Sequence, residues 1–439
     1  MCPSQRDSCR LRSTKPPQSS SLSTILDKTG RFVVDRIIER PRYFSRIQPF
    51  IDKPLVKVLT GVRRCGKSTI LQQLQEVIRA GSADPQVFAM NFESADGLHI
   101  TDAAALLRRI EAENLNKNTR AYFFFDEIQQ VADWEKAINA IRVDYDADIY
   151  VTGSNSRMLS GDLATHLAGR YVEFLIQPFS FAEFVELHRQ SDRTLSEHFQ
   201  HFVQFGGFPA LKYFNLDREP SLDYLDSVYN SVVLKDVIEY HQIRDVDIFH
   251  RIVGYCFANI GKTFSAQSLV RFFKSEGRTV SVDTVLNYLE FCVNAFLIYR
   301  VPRFEIAGKA RLRATEKYYA VDHGFRETLG LSNQADIELT LENIVCVELL
   351  ARGYEVSVGR AGAREIDFIA RKGSDTEYFQ VSYLLGSQNT VDREFGALRG
   401  VTDNFPKTVL SMDQFDMSRD GIQHKNIIEW LVEPSPLHS

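Results

Sequence analysis

Between residue 31 and about residue 180, short uninterrupted apolar runs alternate with stretches in which apolar positions recur every three to four residues. The runs cover 55–60, 87–91, 121–125, 149–152 and 172–176. A strand with one wet face alternates apolar and polar side chains, so continuous apolarity predicts strands covered on both faces, hence a parallel sheet. The segments 68–79, 103–113 and 134–143 predict the intervening helices, and the alternation is that of an α/β domain.

Beyond residue 178 the pattern changes. Pro178 and Phe179-Ser180-Phe181-Ala182-Glu183-Phe184 open a helical region reaching about Tyr240, broken at Gly206-Gly207-Phe208-Pro209. Residues 248–301 then read as three helices and a strand (295–301), with turns at Gly261, Gly277 and Pro302. From 305 to 433 mixed α/β patterning returns, with a helix at 341–352 and strands near 354–358, 366–370, 378–383 and 408–411.

A chain of 439 residues exceeds what one core usually organises, so several domains are expected. A net charge of −5 gives no global basic signature, and any nucleic-acid contact needs a local patch. No run approaches the ~18–20 apolar residues of a membrane helix. The 6 cysteines lack metal-type pairing, which favours free thiols in a reducing, cytoplasmic setting. Residues 1–30, rich in Ser, Pro, Gln and basic side chains, lack the apolar core of a secretory signal and are expected to form a disordered leader.

The chemistry concentrates near the first runs. Gly61-Val62-Arg63-Arg64-Cys65-Gly66-Lys67-Ser68, followed by Thr69, fits G-x-x-x-x-G-K-[ST] and sits between an apolar run and a helical one. Glycines let backbone N–H groups wrap a phosphate, and the helix N-terminus adds positive charge. Lys67 suits the β- and γ-phosphates of ATP, and Ser68 suits magnesium (Mg). The run Tyr122-Phe123-Phe124-Phe125 ends in Asp126-Glu127, an arrangement that suits Asp126 for the metal shell and Glu127 for deprotonating a water. After the next run, Asn155, with Ser154 as second choice, is a candidate sensor of the γ-phosphate. Arg170, just before the fifth run, is a candidate arginine finger for a neighbouring subunit, or else a structural ion pair. Cys65, beside Arg64 and Lys67, is a candidate low-pKa thiol, or else a small residue that fits.

Gly61 to Ser68, Phe125-Asp126-Glu127-Ile128-Gln129, Asp133-Trp134-Glu135, Tyr150 to Ser156 and Leu167-Ala168-Gly169-Arg170-Tyr171 form an ordered series. With Phe205-Gly206-Gly207-Phe208-Pro209, Leu234-Lys235-Asp236-Val237-Ile238 and Gly362 to Tyr383, the series resembles prokaryotic AAA+-like P-loop ATPases fused to a C-terminal domain of uncharacterised function. The resemblance implies an additional-strand P-loop NTPase with strand order 5-1-4-3-2, ATP as substrate and a cytosolic location.

The expected organisation is an ATPase core at 31–187, a helical lid at 188–245, a winged helix at 246–304 and a restriction-endonuclease-like α/β domain at 305–439. Lys262, Arg271, Lys274, Arg278, Arg300 and Arg303 outnumber nearby acids and are candidates for phosphate contact with DNA. In the last block Glu342 or Glu348, Asp367 and Gln380 match nuclease positions, but Ser382 stands where such sites carry Lys, with Lys372 as the fallback. Cutting is therefore doubtful. The expected function is ATP hydrolysis that switches the last two domains in contact with DNA, with no membrane contact and homo-oligomerisation a possibility. The alternatives are a signalling or conflict-type switch that engages proteins, and an ATP-dependent nuclease.

Overall fold

The computed structural model describes residues 22–26, 32–81, 83–156, 167, 169–189, 191–306, 310–361 and 364–434. Residues 1–39 form one unit and 40–439 another. In the first, β1 (Leu22–Leu26) pairs antiparallel with β2 (Phe32–Arg36). The rest of the expected leader lies outside the described residues.

The second unit opens with a five-stranded sheet of β3 (Val56–Thr60), β4 (Gln86–Asn91), β5 (Ala121–Asp126), β6 (Ala147–Gly153) and β7 (Tyr171–Leu175). All pairings are parallel and the order is β4-β5-β6-β3-β7, the expected 5-1-4-3-2. Every residue of β3 and β5 is buried. The cause is two-sided covering: Phe123, Phe125, Val58 and Val151 pack in one core, while Phe124, Tyr150 and Leu59 pack in another. Helices Ala103–Glu111 and Trp134–Asp144 contribute to the first core, and Lys67–Gly81 to the second.

The helices Phe181–Leu187, Leu195–Phe205 and Arg218–Ser231 follow, the last continuing into a π-helical stretch, Val232–Glu239. Gly206 ends the second of these at φ +74°, and a Cβ there would lie 1.8 Å from Asp322 Oδ1. Asp322 accepts from Gly207 N at 2.7 Å and Gly324 N at 2.8 Å, so the Gly-Gly break is shaped by a carboxylate 115 residues away.

Helices Val246–Ala258, Ala266–Ser275 and Val282–Asn294 lead into β8 (Ile298–Glu305) and its antiparallel partner β9 (Ala310–Ala320). Pro302, expected at a turn, sits inside β8 where the register shifts between Val301 and Arg303. A strand tolerates proline at such an irregularity because no regular ladder bond is lost. Then come helix Ile337–Ala351, β10 (Glu355–Ala361), β11 (Arg364–Lys372), β12 (Asp375–Val381), helix Gln388–Arg399, β13 (Lys407–Ser411) and β14 (Gln423–Asn426). These strands form one seven-stranded sheet, β14-β13-β12-β11-β10-β8-β9. Arg303, Phe304 and Glu305 of β8 pair in parallel with Val358, Gly359 and Arg360 of β10. The expected boundary at 304/305 therefore falls inside a continuous sheet. The three helices with their hairpin and the C-terminal block share backbone hydrogen bonds, so they cannot be rearranged against one another without breaking a ladder.

Candidate functional site

The 61–68 loop leaves the C-terminal end of β3 and enters helix Lys67–Gly81. Gly61 has φ +143°, and a Cβ there would stand 2.0 Å from Ile176 O, so only glycine fits this exit. Lys67 Nζ is buried and donates to Gly61 O at 3.0 Å and Val62 O at 3.2 Å. It also lies 3.6 Å from Glu127 Oε1. Lysine and acid meet because β5 and β3 flank β6 and end at the same edge of the sheet.

Asp126 is buried and contacted by three neighbours. Thr152 Oγ1 donates to Oδ1 at 2.6 Å, Asn91 Nδ2 to Oδ2 at 2.8 Å, and the Ser68 hydroxyl also hydrogen-bonds the carboxylate. Burial raises the Asp126 carboxyl above its ordinary range, while the bonds from Thr152 and Ser68 oppose that rise. Thr152 additionally accepts from Glu127 N at 2.9 Å. Glu127 adopts φ 56°, ψ 47°, a left-handed conformation uncommon outside glycine and concentrated at functional sites. Gln129 Nε2 donates to Glu127 Oε2, completing its orientation.

The Ser68–Asp126 pair is an oxygen-only donor set, which suits a hard cation that completes its shell with phosphates and water. Among the described residues, no group of three or more His, Cys, Asp or Glu is arranged to hold a metal by itself. A cation here would therefore depend on nucleotide oxygens.

Thr152 and Asn91 carry no motif of their own, and sequence reading missed their roles. The signal available was that each polar residue stands near the end of an apolar strand adjoining β5. Also missed was Arg40, buried beneath the loop, whose Nη1 donates to Cys65 O at 3.2 Å and which pairs twice with Glu183, at 2.8 and 2.9 Å. Glu183 closes a capping box with Ser180, a Ser-x-x-Glu pattern legible in the chain.

The remaining candidates divide. Gly153 pairs with Thr60, so Asn155, two residues further on and 8% exposed, lies alongside the start of the loop. Arg64 and Ser68 line the loop, with Arg64 exposed at φ 65°. Arg170 is exposed, and its carbonyl accepts from Val56 N at 2.9 Å, at the opposite end of β3 from the loop. With about 3.3 Å per residue, five strand residues put it roughly 16 Å from its own phosphate loop. A finger role for Arg170 is thus open only toward a second copy of the chain.

For Cys65 the geometry favours the small residue that fits over the low-pKa thiol. Cys65 is fully buried, its Sγ lies 3.2 Å from Ile176 O, and burial raises its pKa despite the nearby Lys67 and Arg40. The thiol fills space under the loop and does not meet solvent. Iodoacetamide is expected to leave Cys65 unmodified in the folded protein and to label it only after denaturation, as peptide mass mapping would show. Labelling at neutral pH without denaturant would restore the reactive-thiol reading.

In the C-terminal block, Lys372 Nζ donates to Arg352 O at 3.0 Å, on β11's far end from Asp367, so it does not replace the missing nuclease lysine. Lys317 of β9 stands there instead, 2.9 Å from Glu342 and 2.8 Å from Glu365. Tyr319 OH also donates to Glu342, at 2.6 Å. Asp367 accepts from Val381 N at 2.8 Å, and burial followed by the charge of Glu342 raises its pKa well above the ordinary value.

A family model described as an AAA domain matches residues 53–185, and one described as a domain of unknown function matches residues 196–335. Among solved structures, Cdc6p from Pyrobaculum aerophilum overlaps at TM-score 0.32 with 11% identity, covering 73% of this chain and all 100% of that one. AMPPCP-bound DnaA from Aquifex aeolicus overlaps at TM-score 0.31 with 12% identity, covering 58% and 88%. Those overlaps are loose, and the relationship rests on closer sequences. An uncharacterised protein of Methanocaldococcus jannaschii is 31% identical over 363 residues, 78% of this chain and 77% of that protein. An uncharacterised protein of Haemophilus influenzae is 34% identical over 402 residues, 90% of this chain and 99% of that protein. The chain therefore belongs to the same family as the Haemophilus influenzae protein, and it joins an AAA-type P-loop domain to a domain of unknown function.

Proposed function

We propose that this protein binds ATP with magnesium in the 61–68 loop and hydrolyses it, with Glu127 as general base. The observation that carries the reading is the convergence of Lys67, Ser68, Asp126 and Glu127 at one sheet edge. Lys67 turns from the carbonyls of Gly61 and Val62 to the β- and γ-phosphates. Magnesium, when held by Ser68 with Asp126 behind it, supplies charge neutralisation for the phosphates. Glu127 takes a proton from the attacking water, whose oxygen bonds to the γ-phosphorus as the bond to the β,γ-bridging oxygen breaks. ADP and phosphate result. Asn155 reports the terminal phosphate, and Arg170 serves the site of a second copy.

The three helices at 246–294 with the β8–β9 hairpin have winged-helix proportions, and we propose DNA as their partner. The basic patch is smaller than its composition suggests. Arg278 pairs with Asp247, Arg300 with Glu290 at 2.7 Å, and Arg303 with Glu365. Exposed Lys262, Arg271 and Lys274 carry the contact. ATP turnover is expected to rise when duplex DNA is added, and Lys262→Ala with Lys274→Ala to lower the salt slope of DNA binding by about 2. A protein partner is the second reading. It is favoured by the exposed face of helix Val282–Asn294, which presents Asp283, Leu286 and Asn287 but no cation, beside Phe272 at 51% exposure. No DNA response together with a co-purifying protein would select it. The αβββαβ order from Ile337 to Ser411 supports a nuclease-like fold, while the Lys317-bound acids weigh against cutting.

A further inference from the structure

Arg63 occupies the third position of the 61–68 loop, and all the charge-bearing corners of its guanidinium are engaged. Nε and Nη2 donate to Asp236 Oδ2 and Oδ1 at 3.2 and 3.0 Å, and Nη1 donates to Glu93 Oε1 at 2.9 Å. Asp236 comes from outside the parallel sheet, on Val232–Glu239, the π-helical stretch among the described residues. Single π turns are uncommon and recur at functional sites.

The chemistry of this clamp is unexpected for a loop that meets a polyanion. Two acids close on one loop cation, leaving a local excess of negative charge where phosphate must arrive. Asp236 is 8% exposed, and burial raises its carboxyl above the ordinary range, with Arg63 the main opposing influence. The Glu127 carboxylate acts electrostatically on both Arg63 and Asp236. Lys67 of the same loop lies 3.6 Å from Glu127 Oε1, so Arg63 and the proposed base belong to one site.

We propose that Arg63, held in reserve by Asp236, is the group that distinguishes a nucleoside triphosphate from a diphosphate, and that its exchange between Asp236 and the terminal phosphate links nucleotide state to the Val232–Glu239 segment. The inference rests on the ATP reading above. A terminal phosphate offers Arg63 a stronger anionic partner than a carboxylate. When the guanidinium turns to it, Asp236 loses the partner that keeps its charge tolerable under cover. It must then take up a proton or move toward water, and the helical segment carrying it responds. A diphosphate lacks the group that starts this exchange.

The test is titration of the full-length protein with ATPγS and with ADP, each with magnesium, followed by calorimetry. In Asp236→Asn the rival for Arg63 is gone, so ATPγS affinity is expected to rise about tenfold, the scale of one charge-assisted hydrogen bond released from competition. ADP affinity is expected to stay within about twofold. Arg63→Ala is expected to erase the preference for ATPγS, alone or combined with Asp236→Asn. Glu93→Gln touches the loop from the surface, where Glu93 is 49% exposed, and is expected to shift the ratio in the same direction by less. Equal changes for both nucleotides, or weaker ATPγS binding in Asp236→Asn, would overturn the inference. A wild-type protein that binds neither nucleotide would instead sink the ATP reading on which it stands.

Discussion

Glu127→Gln is expected to cut ATP turnover by a factor of about 10²–10⁴ while nucleotide affinity stays near that of the unaltered protein. The substitution keeps the size of the side chain and its contact with Gln129, and it leaves the backbone bond from Glu127 N to Thr152 untouched. What it removes is the capacity to accept a proton. Lys67 and the loop amides, which hold the triphosphate, are unaltered, so the variant should accumulate bound ATP. Phosphate release measured beside equilibrium binding separates the two effects. Turnover retained within a few-fold would mean that another group activates the water, and the general-base assignment would fall.

The second large effect concerns the sheet that carries this site. Lys57 and Asp148 sit on neighbouring strands β3 and β6, both at 0% side-chain exposure, and form an ion pair. Lys57 Nζ also donates to Lys53 O at 3.0 Å, and Asp148 accepts from Asp52 N at 2.8 Å and Tyr150 OH at 3.1 Å. Burial lowers the Lys57 pKa, with Asp148 as the main counterweight. Asp148→Ala strands an ammonium in the core and is expected to cost about 3–5 kcal/mol, because removing one partner leaves a buried charge without compensation. Melting should fall by roughly 3–5 °C for a chain of this size. Replacing both residues by apolar ones of similar volume should recover much of the loss, since the pair's attraction largely offsets its own desolvation. A single substitution costing less than about 1 kcal/mol would show that water reaches Lys57 after all.

The parallel sheet was legible because both of its faces are covered. Strands such as β5, with every residue buried, must be apolar throughout, and that signal survives in a bare sequence. The phosphate loop was legible for a related reason: its chemistry lies in contiguous residues whose spacing is dictated by backbone wrapping. Elements without a clean apolar pattern were harder. Strand β9, helix Gln388–Arg399 and strand β14 escaped notice; β14, Gln-His-Lys-Asn, carries no apolar residue although His424 and Asn426 are buried.

Partnerships over long separations were not legible at all. Nothing local to Asp236 announces that it will meet Arg63, 173 residues earlier, and Asp322 gives no sign of shaping the Gly206–Gly207 break. The choice between the two readings of Cys65 could not be made for the same reason. Its cationic neighbours are adjacent in sequence, but the Ile176 carbonyl that covers it comes from the end of another strand. The sequence alone determined the kind of sheet, the loop proposed to meet phosphate and the acids opposite it, because each depends on residues within one turn or strand. The tertiary structure alone decided which charges are neutralised, which thiol is sealed and which blocks share a sheet. Burial and pairing arise between segments remote in the chain, and no local pattern encodes them.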